Sequence, residues 1–138
     1  EAYPVPKHEL SQLNYPNLLA NDNQQSLFET IHDVSWATPS SITTNFTLTK
    51  IHQYFSKLEY VSLFDLVYFD AFGPRVQPDL WTPEMFKRMF NALKPQGVLV
   101  TYSAKGSVRR AMQSVGFFVE RLEGPPGKRE MLRATKPA

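Results

Sequence analysis

Residues Leu63–Phe69 read Leu-Phe-Asp-Leu-Val-Tyr-Phe, a short run that is almost entirely apolar. Such a run fits a strand covered on both faces, which requires a parallel sheet flanked by helices. The run then stops in an acid, Asp70, and Ala71, Phe72, Gly73 and Pro74 turn the chain at once. A fold that accommodates this stretch must bury a strand and release a carboxylate at its end.

The flanking sequence supplies the rest of such a sheet. Residues 74–81 hold two prolines and read as a loop. Thr82-Pro83-Glu84 is a helix start: a capping hydroxyl, a proline at the first helical position and an acid in the first turn. Met85, Phe86, Met89, Phe90 and Leu93 then form one apolar stripe, and Pro95 and Gly97 end the helix. Val98–Ser103 reads as a second buried strand. Residues 107–115 read as a helix stopped by Gly116. Residues 117–124 and 128–135 read as two more strands joined by Gly124-Pro125-Pro126-Gly127. Strand and helix alternate up to Gly116 and two strands close the chain, so the expected architecture is α/β, a parallel sheet ending in an antiparallel hairpin.

The first sixty residues carry weaker signals. Pro4, Pro6 and Pro16 interrupt the start, and residues 7–14 fit a short helix. Residues 21–34 read as a helix with Asn21 or Asp22 as N-cap and Leu27, Ile31 and Val34 on one face. Residues 44–51 alternate and are rich in Thr, which predicts one strand. Residues 52–58 fit a helical turn or two. Nothing divides the 138 residues into separate domains, so the expectation is a single domain over 1–138.

In open parallel sheets, ligands bind beyond the carboxyl ends of the strands. Asp70 stands at such an end, Phe72 offers a flat face for a ring, and Gly73-Pro74 bends the chain to admit a ligand. An Asp that merely caps a turn explains the local pattern equally well. Charge adds a second clue. The net charge is only +2, yet residues 104–138 hold eight Lys or Arg against three Glu, and residues 1–103 hold seven against ten acids. A basic C-terminal third suits a phosphate-binding surface, and it also fits a plain solvated one. The absence of cysteine excludes disulfides and thiolate metal sites and fits a reducing, cytoplasmic setting. His8, His32 and His52 show no ligand spacing near a carboxylate pair, so no metal is expected.

Three stretches in fixed order carry a family resemblance: residues 65–86 with Asp70-Ala71-Phe72-Gly73-Pro74, residues 93–117, and residues 124–134 with Lys128-Arg129-Glu130. Together they resemble the tRNA 5-methylaminomethyl-2-thiouridine methyltransferase family, which depends on S-adenosylmethionine and completes the 5-methylaminomethyl group of the wobble uridine. The resemblance implies a Rossmann-like methyltransferase fold, a three-layer sandwich of strand order 3-2-1-4-5-7-6. It also implies S-adenosylmethionine as cofactor, tRNA as partner, and an FAD-dependent oxidoreductase acting on the same uridine, fused or separate.

Position by position, Asp70 matches the acid after the family's strand 4, beside the methyl donor and the acceptor amine. The family motif Asp-Gly-Phe-Ala-Pro has Ala71 and Gly73 exchanged here. Ala71 and Phe72 would line the cofactor with Asp70, and Glu1, in Glu-Ala-Tyr-Pro, matches the acid that holds the cofactor ribose. A carboxylate suits that task because it accepts two hydrogen bonds from a diol. Trp81 matches a tryptophan at the end of the proline-rich loop and, with Lys105, Arg109, Arg110, Lys128 and Arg129, would meet tRNA. Thr101, Ser103 and Gly106 match the exit of the family's strand 5, and Asp70 is expected to share a cleft with Thr101 or Ser103.

Two departures follow. All six glycines lie at 73 or later, so the Gly-rich loop after the family's strand 1 has no counterpart, and the stretch Leu48–Ile51 lacks the acid expected near adenine. The fold is therefore expected to be N-terminally incomplete, and the 138 residues alone are expected not to bind S-adenosylmethionine in the family's way. The edge of the strand at 63–69 would need a cover: the strand at 44–51 moved inward, a second copy of the chain, or an upstream segment.

The implied reaction is N-methylation of an aminomethyl group. A carboxylate of ordinary acidity, with a pKa of roughly 3.9, is a poor base for an ammonium. Alignment of the amine and offset of its charge are then the expected tasks of Asp70. A small-molecule methyltransferase of the same fold would not need the basic third. A non-catalytic RNA-binding derivative would tolerate loss of Asp70.

Overall fold

The computed structural model describes residues 2–18 and 23–138; the cap candidates Asn21 and Asp22 and the ribose candidate Glu1 lie outside the described residues. The chain divides into two compact units, residues 1–54 and 55–138.

In the first unit, helices α1 (Lys7–Leu10) and α2 (Gln24–Asp33) precede a two-stranded antiparallel sheet, β1 (Ser40–Thr43) and β2 (Phe46–Leu48). The single strand expected over 44–51 is thus corrected to a hairpin. Thr44 and Asn45 make its turn, and the Thr43 hydroxyl accepts the Asn45 N–H at 3.3 Å. A Thr-Asn pair that bonds its own backbone favours a turn over a continuous strand.

The second unit is a four-stranded sheet in the order β3-β4-β6-β5, built from β3 (Phe64–Tyr68), β4 (Leu93–Thr101), β5 (Phe118–Glu123) and β6 (Glu130–Thr135). Strands β3 and β4 run parallel, while β6 runs antiparallel to both β4 and β5. This reproduces the run 4-5-7-6 of the methyltransferase order. Helix α3 (Pro83–Ala92) connects β3 to β4, and α4 (Gly106–Ser114) connects β4 to β5. Thr82 caps α3 as expected, its hydroxyl accepting the Met85 N–H at 3.3 Å. Such a cap contributes about 1 kcal/mol. Gly116 ends the turn after α4 at φ 109, a conformation that L side chains rarely adopt.

The core lies between the sheet and the two helices. Cross-strand register aligns Val67, Leu99 and Ala134, and pairs Thr101 with Leu132. These side chains meet Met85, Phe86 and Met89 of α3 and Val108 and Met112 of α4 in one buried cluster, or border it. Phe86, Leu93, Leu99, Met112 and Leu132 are completely buried.

The expectation that Leu63–Phe69 is covered on both faces is corrected. Alternate residues of a strand point to opposite faces. Val67 and Phe69 face the helices, whereas Leu66 is 43% and Tyr68 78% exposed. Both helices of this unit occupy the same face of the sheet. Among the described residues β3 pairs only with β4, so the strand expected to move inward from 44–51 does not pair with it: β1 and β2 pair with each other.

Candidate active site and nucleic-acid interface

The carboxyl end of the sheet gathers the residues of interest because of strand direction. Parallel pairing sets Tyr68 beside Val100, and the Phe69 N–H donates to the Val100 carbonyl at 2.9 Å. Asp70 and Tyr102 therefore leave the sheet at the same end. Strand β6 is antiparallel to β4, so it begins where β4 ends, which brings Lys128 and Arg129 to that end as well. Helix α4 starts just past β4 and adds Lys105, Arg109 and Arg110 in its first turns.

Within the loop, residues alternate between anchored and presented. Ala71 is buried, and its carbonyl accepts the Tyr102 hydroxyl at 2.7 Å. The next carbonyl, of Phe72, accepts the indole N–H of Trp81 at 2.8 Å. Asp70 is exposed, and the Phe72 ring is 71% exposed. An aromatic ring left in solvent above a backbone pinned at two successive carbonyls is a presented surface, and ring stacking is its natural use. No ion pair of the described residues engages the Asp70 carboxylate.

Trp81, expected to meet tRNA, is only 6% exposed and lies in the core, edge to face with Phe69, Phe86 and Tyr102 at centroid distances of 5.2, 6.3 and 6.1 Å. The surface role is corrected: this indole packs beneath the Asp70 loop and holds it. Thr101 and Ser103, expected to share a cleft with Asp70, are both buried, and the Ser103 N–H donates to the Thr101 hydroxyl at 3.3 Å. The reason is phase. Thr101 pairs with Leu132 on the helix-covered face, so Tyr102, one residue on, is the side chain level with Asp70. Tyr102 is thus the residue the sequence reading passed over. Counting two residues on from Tyr68 beside Val100 sets Asp70 level with Tyr102.

The basic residues sort by partner. Arg121 pairs with Glu130 at 3.4 Å and Arg133 with Glu120 at 3.0 Å, both along the β5–β6 ladder. Lys136 donates to the Leu93 carbonyl at 2.7 Å. The remaining five of the C-terminal third are Lys105, Arg109, Arg110, Lys128 and Arg129, which have no acidic partner among the described residues. Lys105, Arg110, Lys128 and Arg129 are exposed, and Arg109 is half-buried with its Nε enclosed and unpartnered. The Lys128 ammonium sits 4.1 Å from the centre of the Tyr102 ring, which ties the β5–β6 turn to the Asp70 loop. Gly124 makes that turn feasible, since a Cβ there would collide with the Lys128 carbonyl.

The fold and its sheet end define an α/β methyltransferase-type domain, and comparison with known proteins agrees. The model of a family described as S-adenosyl-L-methionine-dependent methyltransferase matches residues 15–137, and the chain belongs to that family. It is 30% identical over 122 residues to the tRNA 5-methylaminomethyl-2-thiouridine biosynthesis bifunctional protein MnmC of Psychrobacter sp. (strain PRwf-1), covering 88% of this chain and 16% of that protein. Among solved structures it is similar to MNMC2 from Aquifex aeolicus, with TM-score 0.63 and 23% identity over 83% of this chain and 38% of that one. It is also similar to a possible exported protein from Bordetella parapertussis, with TM-score 0.54 and 19% identity over 65% of this chain and 44% of that one. The chain thus spans less than half the length of each of these relatives.

The family's cofactor is S-adenosylmethionine, and the described sheet end fits part of it. An exposed ring and an exposed carboxylate at the end of β3 suit a flat, cationic, polar molecule, and a pinned backbone keeps both in place.

Proposed function

We propose that this chain forms the catalytic-loop side of a methyltransferase that transfers a methyl group to the aminomethyl nitrogen of the tRNA wobble uridine. The observation that carries the reading is a convergence. The Asp70 carboxylate, the bare Phe72 ring and five cations without acidic partners occupy one end of one sheet. The similarity to MnmC over 88% of the chain supports the choice of substrate.

S-adenosylmethionine, when bound, would supply a sulfonium-bound methyl group: the N–C bond would form in line as the S–C bond breaks, S-adenosylhomocysteine would leave, and the amine proton would pass to water. Phe72 presents its ring to the cofactor, and Asp70 accepts a hydrogen bond from the amine, orients its lone pair and offsets its charge. Lys105, Arg109, Arg110, Lys128 and Arg129 contact tRNA phosphates and set the position of the anticodon arm, the Arg residues through paired hydrogen bonds. Ala71 contributes through its backbone, since its carbonyl is already taken by Tyr102. Glu1 keeps the ribose role. An oxidoreductase acting on the same uridine is the expected functional partner, the cytoplasm the expected location, and a single domain over residues 1–138 the expected organisation.

The test is methylation of tRNA bearing the aminomethyl uridine by an intact chain, one that joins these 138 residues to the family's Gly-rich loop, with Asp70→Ala beside the unsubstituted protein. Loss of transfer with tRNA binding kept supports the proposal. Equal losses in transfer and binding would make Asp70 a binding residue, and salt-insensitive methylation of a small amine instead of tRNA would refute the substrate.

A further inference from the structure

The two pinned carbonyls carry a consequence for catalysis that goes past the roles of Asp70 and Phe72. Tyr102 and Trp81 approach the loop from different sides, one just past the end of β4 and the other in the 3-10 turn Pro78–Trp81, and donate to consecutive carbonyls at 2.7 and 2.8 Å. Their rings meet edge to face at 82°, so each fixes the other's orientation. The Lys128 ammonium lies over the Tyr102 ring at 4.1 Å, and the Tyr102 hydroxyl lies 3.6 Å from where a Cβ on Gly73 would stand. The chain beyond is closed by Val76 and Gln77, whose N–H groups both donate to the Gly73 carbonyl at 2.8 and 3.1 Å. Asp70 itself sits between the last sheet bond, at Phe69, and the first clamped carbonyl, at Ala71.

We propose that Tyr102 is a positioning residue for methyl transfer: with Trp81 it clamps the Ala71–Phe72 backbone so that Asp70 and Phe72 are held in their reactive placement before any ligand arrives. The inference rests on the role of Asp70 proposed above. A carboxylate that aligns an amine must be fixed by its own supports, because a small misplacement of a reacting group costs rate more than affinity. Lys128 belongs to the same assembly through the face of the Tyr102 ring.

Tyr102→Phe removes one hydroxyl and keeps the ring against Trp81 and beneath Lys128. Hydrogen exchange in the unliganded protein reads the clamp directly. The Val76 and Gln77 amides should exchange about tenfold faster in Tyr102→Phe, the scale of one lost internal hydrogen bond, while Val100 and Leu132 stay within about twofold. Unchanged rates at Val76 and Gln77, or equal acceleration throughout the sheet, would overturn the inference. A second reading needs no substitution: the Trp81 indole N–H of the unsubstituted protein should exchange far more slowly than a free indole, and equal rates would overturn the clamp. In the transfer assay, Tyr102→Phe should lower kcat about fivefold or more with KM for tRNA within about twofold, and a change in KM alone would overturn it. If the unsubstituted protein transfers no methyl to tRNA, the proposed function fails, whereas the exchange measurements still decide whether the clamp exists.

Discussion

Replacing Lys105, Arg110 and Arg129 together by Gln should flatten the salt dependence of tRNA binding by an amount that the structure sets. Of the eight cations in residues 104–138, Arg121 and Arg133 are paired to glutamates and Lys136 is tied to a carbonyl. Five are left, at one end of the sheet. If each neutralises one phosphate, log affinity falls with log salt at a slope of roughly −3.5 to −4.5, taking about 0.7 to 0.9 per contact. Between 50 and 200 mM salt that slope weakens binding roughly one hundred- to five hundred-fold. The triple variant should lose about 2 to 3 units of slope. All three side chains are exposed, so the fold should be untouched. Arg109 is left in place because its enclosed Nε makes substitution there ambiguous. Fluorescence anisotropy of labelled tRNA across a salt series supplies both slopes. An unchanged slope would mean that this end of the sheet does not meet the phosphates, and the reasoning from unpaired cations would fail.

Other expectations are more local. Leu99→Ala, at a fully buried position, should cost about 2 to 5 kcal/mol in urea unfolding; a loss below 1 would contradict the core as described. Gly116→Ala should cost about 1 to 3 kcal/mol, because φ is 109 and the new Cβ would press on the Phe90 ring at 3.3 Å; an unchanged midpoint would show that the turn relaxes. Leu66→Lys should reduce concentration-dependent self-association seen by sedimentation, since Leu66 and Tyr68 form an exposed apolar face on an edge strand; association unaffected by the charge would place the contact elsewhere.

How far the chain could be read from its letters varied with the physics of each segment. The second unit was legible because its signals agree: Thr82-Pro83-Glu84 caps α3, the Met85–Phe90 stripe has one buried solution, and Gly124–Gly127 allows only a tight return, although α3 ends at Ala92 and Leu93 already begins β4, ahead of the expected stop at Pro95 and Gly97. Helix α4 and strands β5 and β6 fall within a residue or two of expectation. The hairpin at Ser40–Leu48 was missed because alternation within Thr-rich sequence does not mark where a strand turns, and the Thr43–Asn45 bond decides it locally. The exposed face of β3 was missed because composition reports only that a strand is apolar, and cover on each face is a tertiary matter. At the site, Asp70 and the five cations without acidic partners were picked out by local pattern and by the family resemblance, and their gathering at one sheet end follows from strand direction. Trp81 was misjudged and Tyr102 passed over because an aromatic with a polar tip fits a ligand surface and a buried clamp equally well; only the carbonyls it meets tell them apart.

The central claim is that the loop after β3 places Asp70 against the aminomethyl nitrogen of a tRNA held by the basic residues beside it. The most direct test is mass spectrometry of nucleosides from tRNA incubated with methyl-labelled S-adenosylmethionine and an intact chain, one that carries these 138 residues together with the family's Gly-rich loop. Labelled methyl should appear on the aminomethyl nitrogen of the wobble uridine alone, and Asp70→Ala should abolish it while tRNA binding persists. Label on any other nucleoside, or undiminished label at the wobble uridine with Asp70→Ala, would contradict the account.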